Sequence, residues 1–116
     1  MVEMTVQLPD QLAERLRPMS SWLPAVLELS LVGFKTPAVQ TASEIIAFLS
    51  QGPTLAEVAG YTVSERAQQW LRRLLALNQA GMLSPEEQTE LDELEQIEHI
   101  VILLKAQAQK QVAGTN

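Results

Sequence analysis

The chain has 116 residues, no cysteine, 47% apolar residues against only 4% aromatic ones, and a formal charge of −6. That length makes one domain with a modest core, and the missing thiols remove disulfides, thiolate catalysis and cysteine-based zinc sites while suiting a reducing cytoplasm. The acidic balance opposes the phosphate attraction behind most nucleic-acid affinity.

Leu and Ala are prominent, which favours packed helices over sheets, so the fold is expected to be mainly α. No apolar run reaches the length of a membrane span, and no basic stretch with an apolar core opens the chain. A cytoplasmic protein without membrane contact is the expectation.

The first eight residues alternate, with Val2, Met4, Val6 and Leu8 on one side and Glu3, Thr5 and Gln7 on the other. Period two predicts a short half-buried strand. No second segment alternates in this way, so the natural pairing partner is the same strand of a second copy. A homodimer joined through Val2, Met4, Val6 and Leu8 is therefore expected. Pro9 ends the strand and opens D-Q-L-A-E-R-L-R, a short helix with Leu12, Ala13 and Leu16 on one face, which Pro18 stops. Ser20 and Ser21 are placed to cap the next helix, Trp22 to Phe34, whose apolar spacing predicts almost complete burial. Lys35-Thr36-Pro37 is a connector.

Three capping-box patterns come next in the chain: Thr41 with Glu44, Thr54 with Glu57, and Thr62 with Glu65. Gly52-Pro53, Gly60 and Gly81 supply the stops, so three helices are predicted, the middle one very short. In the third, Ala67, Trp70, Leu71, Leu74, Leu75 and Leu77 are expected to face inward. The loop Gly81-Met82-Leu83 is short enough to make an antiparallel hairpin of this helix and the final one.

The final helix, Ser84 to Gln111, has Ser84 as cap, Pro85 at its first position and Glu87 to complete the box. Leu94, Ile97, Val101, Leu104 and Ala108 form its buried seam, and V-A-G-T-N at the end is expected to fray. Ile100, Ile102 and Leu103 make the same helix apolar nearly all round. Either it is central in the domain or a partner packs on it.

Chemistry is sparse. His99, with Glu95 and Glu98, offers too few ligands for a metal site, and no nucleophile-base array or phosphate loop is present. No enzyme activity, cofactor or metal is expected. The acidic run E-E-Q-T-E-L-D-E-L-E reads as a solvated helix face, with Arg66, Arg72 and Arg73 either paired to it across the hairpin, the favoured reading, or free to bind phosphate.

The order strand, short helix, capped helix over residues 2–34, with L-P-D-Q-L-A-E-R-L-R at its centre, resembles the ribbon-helix-helix family of bacterial repressors and antitoxins. The resemblance implies an intermolecular β-ribbon in the DNA major groove, with Thr5 and Gln7 facing bases and Ser20 and Ser21 meeting phosphates. This strand departs from the family in carrying Glu3 where a basic residue is usual, and the turn P-M-S-S-W-L-P has no glycine. Leu74 to Ala106 looks like the tail of small bacterial proteins of antitoxin type.

Residues 1–36 are thus expected to form a dimerisation segment, packed as one domain with a helical region, residues 37–116. Two functional classes remain. One is a dimeric antitoxin-like or accessory regulator with a toxin-like protein partner and DNA at its ribbon. The other is a helical protein-interaction module without nucleic-acid contact, engaged through Ile100, Ile102 and Leu103.

Overall fold

The computed structural model describes residues 1–114. It contains α1 (Asp10–Leu16), a 3-10 segment (Arg17–Trp22), α2 (Leu23–Leu31), α3 (Val39–Ser50), α4 (Leu55–Ala59), α5 (Glu65–Gln79) and α6 (Pro85–Gly114). Among the described residues there is no β-strand, and the protein is all-α. The predicted N-terminal strand and its intermolecular ribbon are therefore corrected. Residues 1–9 have no regular secondary structure, and Val2, Met4, Val6 and Leu8 are 88%, 85%, 66% and 41% exposed. The physical reason lies in the chain itself: one alternating segment closed by Pro9 finds no second strand to take its N–H and C=O groups, and water takes them.

α6 is the central element. Its 30 residues span about 45 Å at the α-helical rise, close to the molecule's longest dimension of 47 Å. The helices α2, α3, α4 and α5 all pack on it. Leu91, Leu94, Ile97, Ile100, Leu104 and Ala108 are its buried apolar positions, recurring at three and four. Against them lie Leu29 from α2, Ala42, Ile45 and Leu49 from α3, Val58 from α4 and Leu74 from α5. Met19 and Trp22 bring the 3-10 segment into the same core. Val112 to Gly114, expected to fray, continue the helix, while Thr115 and Asn116 lie outside the described residues.

Two expectations of burial change. α2 buries only Leu29 and leaves Leu27 and Leu31 exposed, because nothing covers its outer face. α5 buries only Leu74, with Trp70 and Leu75 exposed, so its inward stripe is narrower than its apolar content suggests.

The caps divide in the same way. Thr54 and Glu57 make both bonds of a capping box, and so do Ser84 and Glu87. Thr41 instead lies inside α3, which begins two residues upstream at Val39. Thr62 yields to Ser64, whose hydroxyl accepts the Ala67 N–H at 3.2 Å. Neither Ser20 nor Ser21 caps α2, since both are taken up in the 3-10 segment and Trp22 occupies the N-cap position.

In the two complete boxes the cap hydrogen bonds from Thr54 and Ser84 hold the carboxyls of Glu57 and Glu87 below the usual range. A depressed folded-state value contributes stability above the ordinary carboxylate range and loses it as the pH falls through the lowered value. Thr54 also has a local consequence. α4 is too short to hold a helix alone, so Thr54→Ala is expected to speed amide exchange at Val58 and Gly60 by about five- to tenfold. Hydrogen-exchange mass spectrometry with fragments spanning α4 measures this, and unchanged protection there would show that the cap does not hold the helix.

Candidate functional site

Two carboxylates sit in the buried seam of α6, one turn apart. Glu90 is 5% and Glu93 6% exposed. Isolated charges are costly in such surroundings, so their partners define what the region does. Glu93 accepts the Lys35 backbone N–H at 2.9 Å and the Thr36 hydroxyl at 2.6 Å, and Thr36 Oγ1 in turn accepts the Ala38 N–H at 3.2 Å. The connector between α2 and α3 is therefore fastened to the central helix by a single side chain. Glu90 Oε1 accepts the Trp70 indole N–H at 2.8 Å, tying α5 to α6 across the hairpin.

Glu90 also borders a cleft of 590 Å³ lined by Glu44 from α3, Arg66, Trp70 and Arg73 from α5, and Leu94 from α6. Glu44 Oε1 accepts the Ser64 hydroxyl at 3.1 Å. The second oxygens of Glu44 and Glu90 are both buried with no hydrogen-bond partner among the described residues. Neither arginine pairs with them. Arg73 lies over the Trp70 ring at 5.3 Å, a cation–π geometry, and Arg66 is exposed. Burial, and then the charge of Glu44, pushes the Tyr61 hydroxyl up. The neutral phenol is the folded form, and its contribution to stability is lost only as the pH rises through that raised value.

The expected pairing of Arg66, Arg72 and Arg73 with the acidic face is met only by Arg73, whose charge helps to lower the Glu87 carboxyl without forming a close ion pair. Among the described residues the ion pair is Arg17 with Glu14 at 3.1 Å, on the open surface of α1. Nor is the acidic run wholly a solvated face. Glu90 and Glu93 are in phase with Leu94, Ile97 and Leu104, a signal present in the sequence that the solvated-face reading of their charge passed over.

A second, more apolar cleft of 330 Å³ lies between α5 and α6, with Leu71, Leu94, Ile97, Val101 and Ile102 in its lining. Ile102 at its edge and its neighbour Leu103 are 56% and 51% exposed, whereas Ile100 is buried. The apolar girth of α6 thus separates into a core residue and an uncovered pair. His99 is exposed and borders a shallow cleft with Glu28, Asp92 and Glu95. Among the described residues no group of three His, Cys, Asp or Glu side chains is placed to hold a metal ion.

The chain matches no family model, no curated protein and no solved structure. Its residues alone must therefore carry the functional reading. Of those singled out in the sequence, Thr5 and Gln7 lie exposed in the irregular segment, and Ser20 and Ser21 lie exposed in the 3-10 segment. No hydrogen bond joins the two groups among the described residues. No described helix is long and apolar enough to cross a membrane.

Proposed function

We propose that this chain is a helical protein-interaction module that assembles, in the first instance with a second copy of itself, through the Ile102 and Leu103 face of α6. The observation that carries this reading is the uncovered pair itself. The two large apolar side chains stand in water on the helix that organises the core, beside an apolar cleft. Closing that face against a twin removes apolar area from water without disturbing Ile100 or Leu104, which already serve the interior. DNA is the weaker partner for the chain: the formal charge is −6, and in the N-terminal segment Glu3 lies exposed among Thr5 and Gln7.

Sedimentation equilibrium across a range of concentrations tests it. The unaltered chain is expected to show a reversible monomer–dimer equilibrium, and the double variant Ile102→Gln/Leu103→Gln a monomer of unchanged helicity. Removing exposed apolar groups leaves the fold within about 0.5 kcal/mol of its starting stability. A monomer at every concentration for both proteins rejects the proposal, and so does a dimer that survives the double substitution.

A further inference from the structure

We propose that the second copy docks end for end: the exposed strip of α6 pairs with its own counterpart in antiparallel register about Ile102 and Leu103, so that Lys110 of the second copy comes level with Glu95. This rests on the interaction-module reading and adds the direction, the register and the charge pattern of the assembly to it.

Spacing and charge converge on this register. Glu95, His99, Ile102, Ala106, Gln109 and Ala113 are all exposed and recur at alternate steps of four and three, the repeat by which one helix follows another along a single seam. The strip is also polarised. Its half before Ile102 carries Asp92, Glu95 and Glu98 and no lysine or arginine, whereas the half after Leu103 carries Lys105 and Lys110 and no acid. Among the described residues neither lysine is ion-paired. A parallel pair would stack Glu95 on Glu95 and Lys110 on Lys110, and these like charges repel. Reversal sets acid against base in both halves at once and runs the two macrodipoles in opposite directions, which is the favourable sense.

The neighbouring helix extends the acidic half. Glu28 and Leu31 of α2 border the shallow cleft that holds Asp92, Glu95 and His99, and Leu31 is 82% exposed. The lysine-bearing half of the second copy runs beside this cleft, where Glu28 adds a further carboxylate for Lys110 and Leu31 offers apolar surface to its stem. Size agrees with charge. End-for-end pairing sets Ala106 opposite His99, a small residue against a large one, and brings Ile102 and Leu103 against their own counterparts at the twofold axis. Each contact away from that axis occurs twice.

The chain has no cysteine, so single introduced thiols report the register. His99 and Ala106 are both exposed, and His99→Cys and Ala106→Cys are expected to stay folded. Under aerobic oxidation each variant alone should give no cross-linked dimer, because in the reversed register a thiol and its twin are separated by about 10 Å along the axis, beyond the reach of a disulfide. An equimolar mixture of the two should give the mixed disulfide. Charge exchange supplies a second readout in the full chain. Lys110→Glu turns two symmetric attractions into repulsions and is expected to raise the dimer dissociation constant about tenfold. Glu95→Lys/Lys110→Glu, which swaps the charges and keeps the net charge, should bring it back to within about threefold of the parent. Cross-linking of either variant alone, none in the mixture, a Lys110→Glu dimer as tight as the parent, or a double exchange that restores nothing overturns the inference. Sedimentation keeps the two readings apart. A chain that stays monomeric strikes both, whereas a dimer that Ile102→Gln/Leu103→Gln abolishes but that fails the thiol or charge test strikes the antiparallel register alone.

Discussion

Leu74→Ala is expected to destabilise the fold by about 2–5 kcal/mol, whereas Leu75→Ala, one residue along the same helix, should cost under about 1 kcal/mol. The contrast follows from position alone. Leu74 is fully buried and is the single buried residue of α5, while Leu75 is 41% exposed. Truncating Leu74 removes several methyl groups from the interior and leaves a cavity between α5 and α6 that the neighbours fill only in part. Truncating Leu75 removes surface that already touches water. α5 has little else to hold it: the Trp70–Glu90 hydrogen bond, the Ser64 cap and partly buried Leu71. The Leu74 variant is therefore expected to loosen α5 first, with its amides exchanging before those of Ile97 or Leu104. Urea unfolding with matched slopes gives the free energies. Equal losses for the two substitutions would mean that α5 is not docked through this face.

The long helix was legible because every level of the sequence agreed on it. Ser84, Pro85 and Glu87 specify the start, and Leu94, Ile97 and Leu104 repeat in phase. The Thr54–Glu57 box was legible for the same reason, being bounded by Gly52 and Gly60. Thr41 misled because a capping pattern is silent about the residues before it. The Thr36 hydroxyl accepts the Ala38 N–H, and the helix starts before Thr41 is reached. The N-terminal alternation misled for a different reason. Period two shows that a segment suits a sheet, yet pairing depends on a second strand that the chain does not provide. Glu90 at the candidate cleft and Glu93 beneath the connector were hidden by composition, their charge outweighing their phase. Glu44 and Trp70 could not have been joined from sequence at all, since only the packing of α3 and α5 on α6 brings them to one space. Such groupings across elements carry no local pattern.

Glu93→Ala is expected to cost about 2–4 kcal/mol, an effect comparable to emptying the core at Leu74. Its carboxylate is the common acceptor for the Lys35 N–H and the Thr36 hydroxyl, and it lies 58 and 57 residues away from them in the chain. With the carboxylate gone, the connector keeps its donors but loses their acceptor. Thr36, which also accepts from Ala38 at the start of α3, loses the bond that orients it. The damage should therefore reach α3 as faster exchange in its first turn. Glu93→Gln separates charge from geometry. Its amide oxygen still accepts from Lys35 and its NH2 donates to Thr36 Oγ1, but the Thr36 proton must then turn elsewhere, so a loss of about 1 kcal/mol is expected. Glu93→Leu supplies apolar volume without an acceptor and should resemble alanine rather than glutamine, because the unpaired Lys35 N–H dominates. Chemical denaturation of the three variants orders them. A leucine variant as stable as the parent would show that the connector finds water without strain, and that Glu93 is an incidental passenger in the seam of α6.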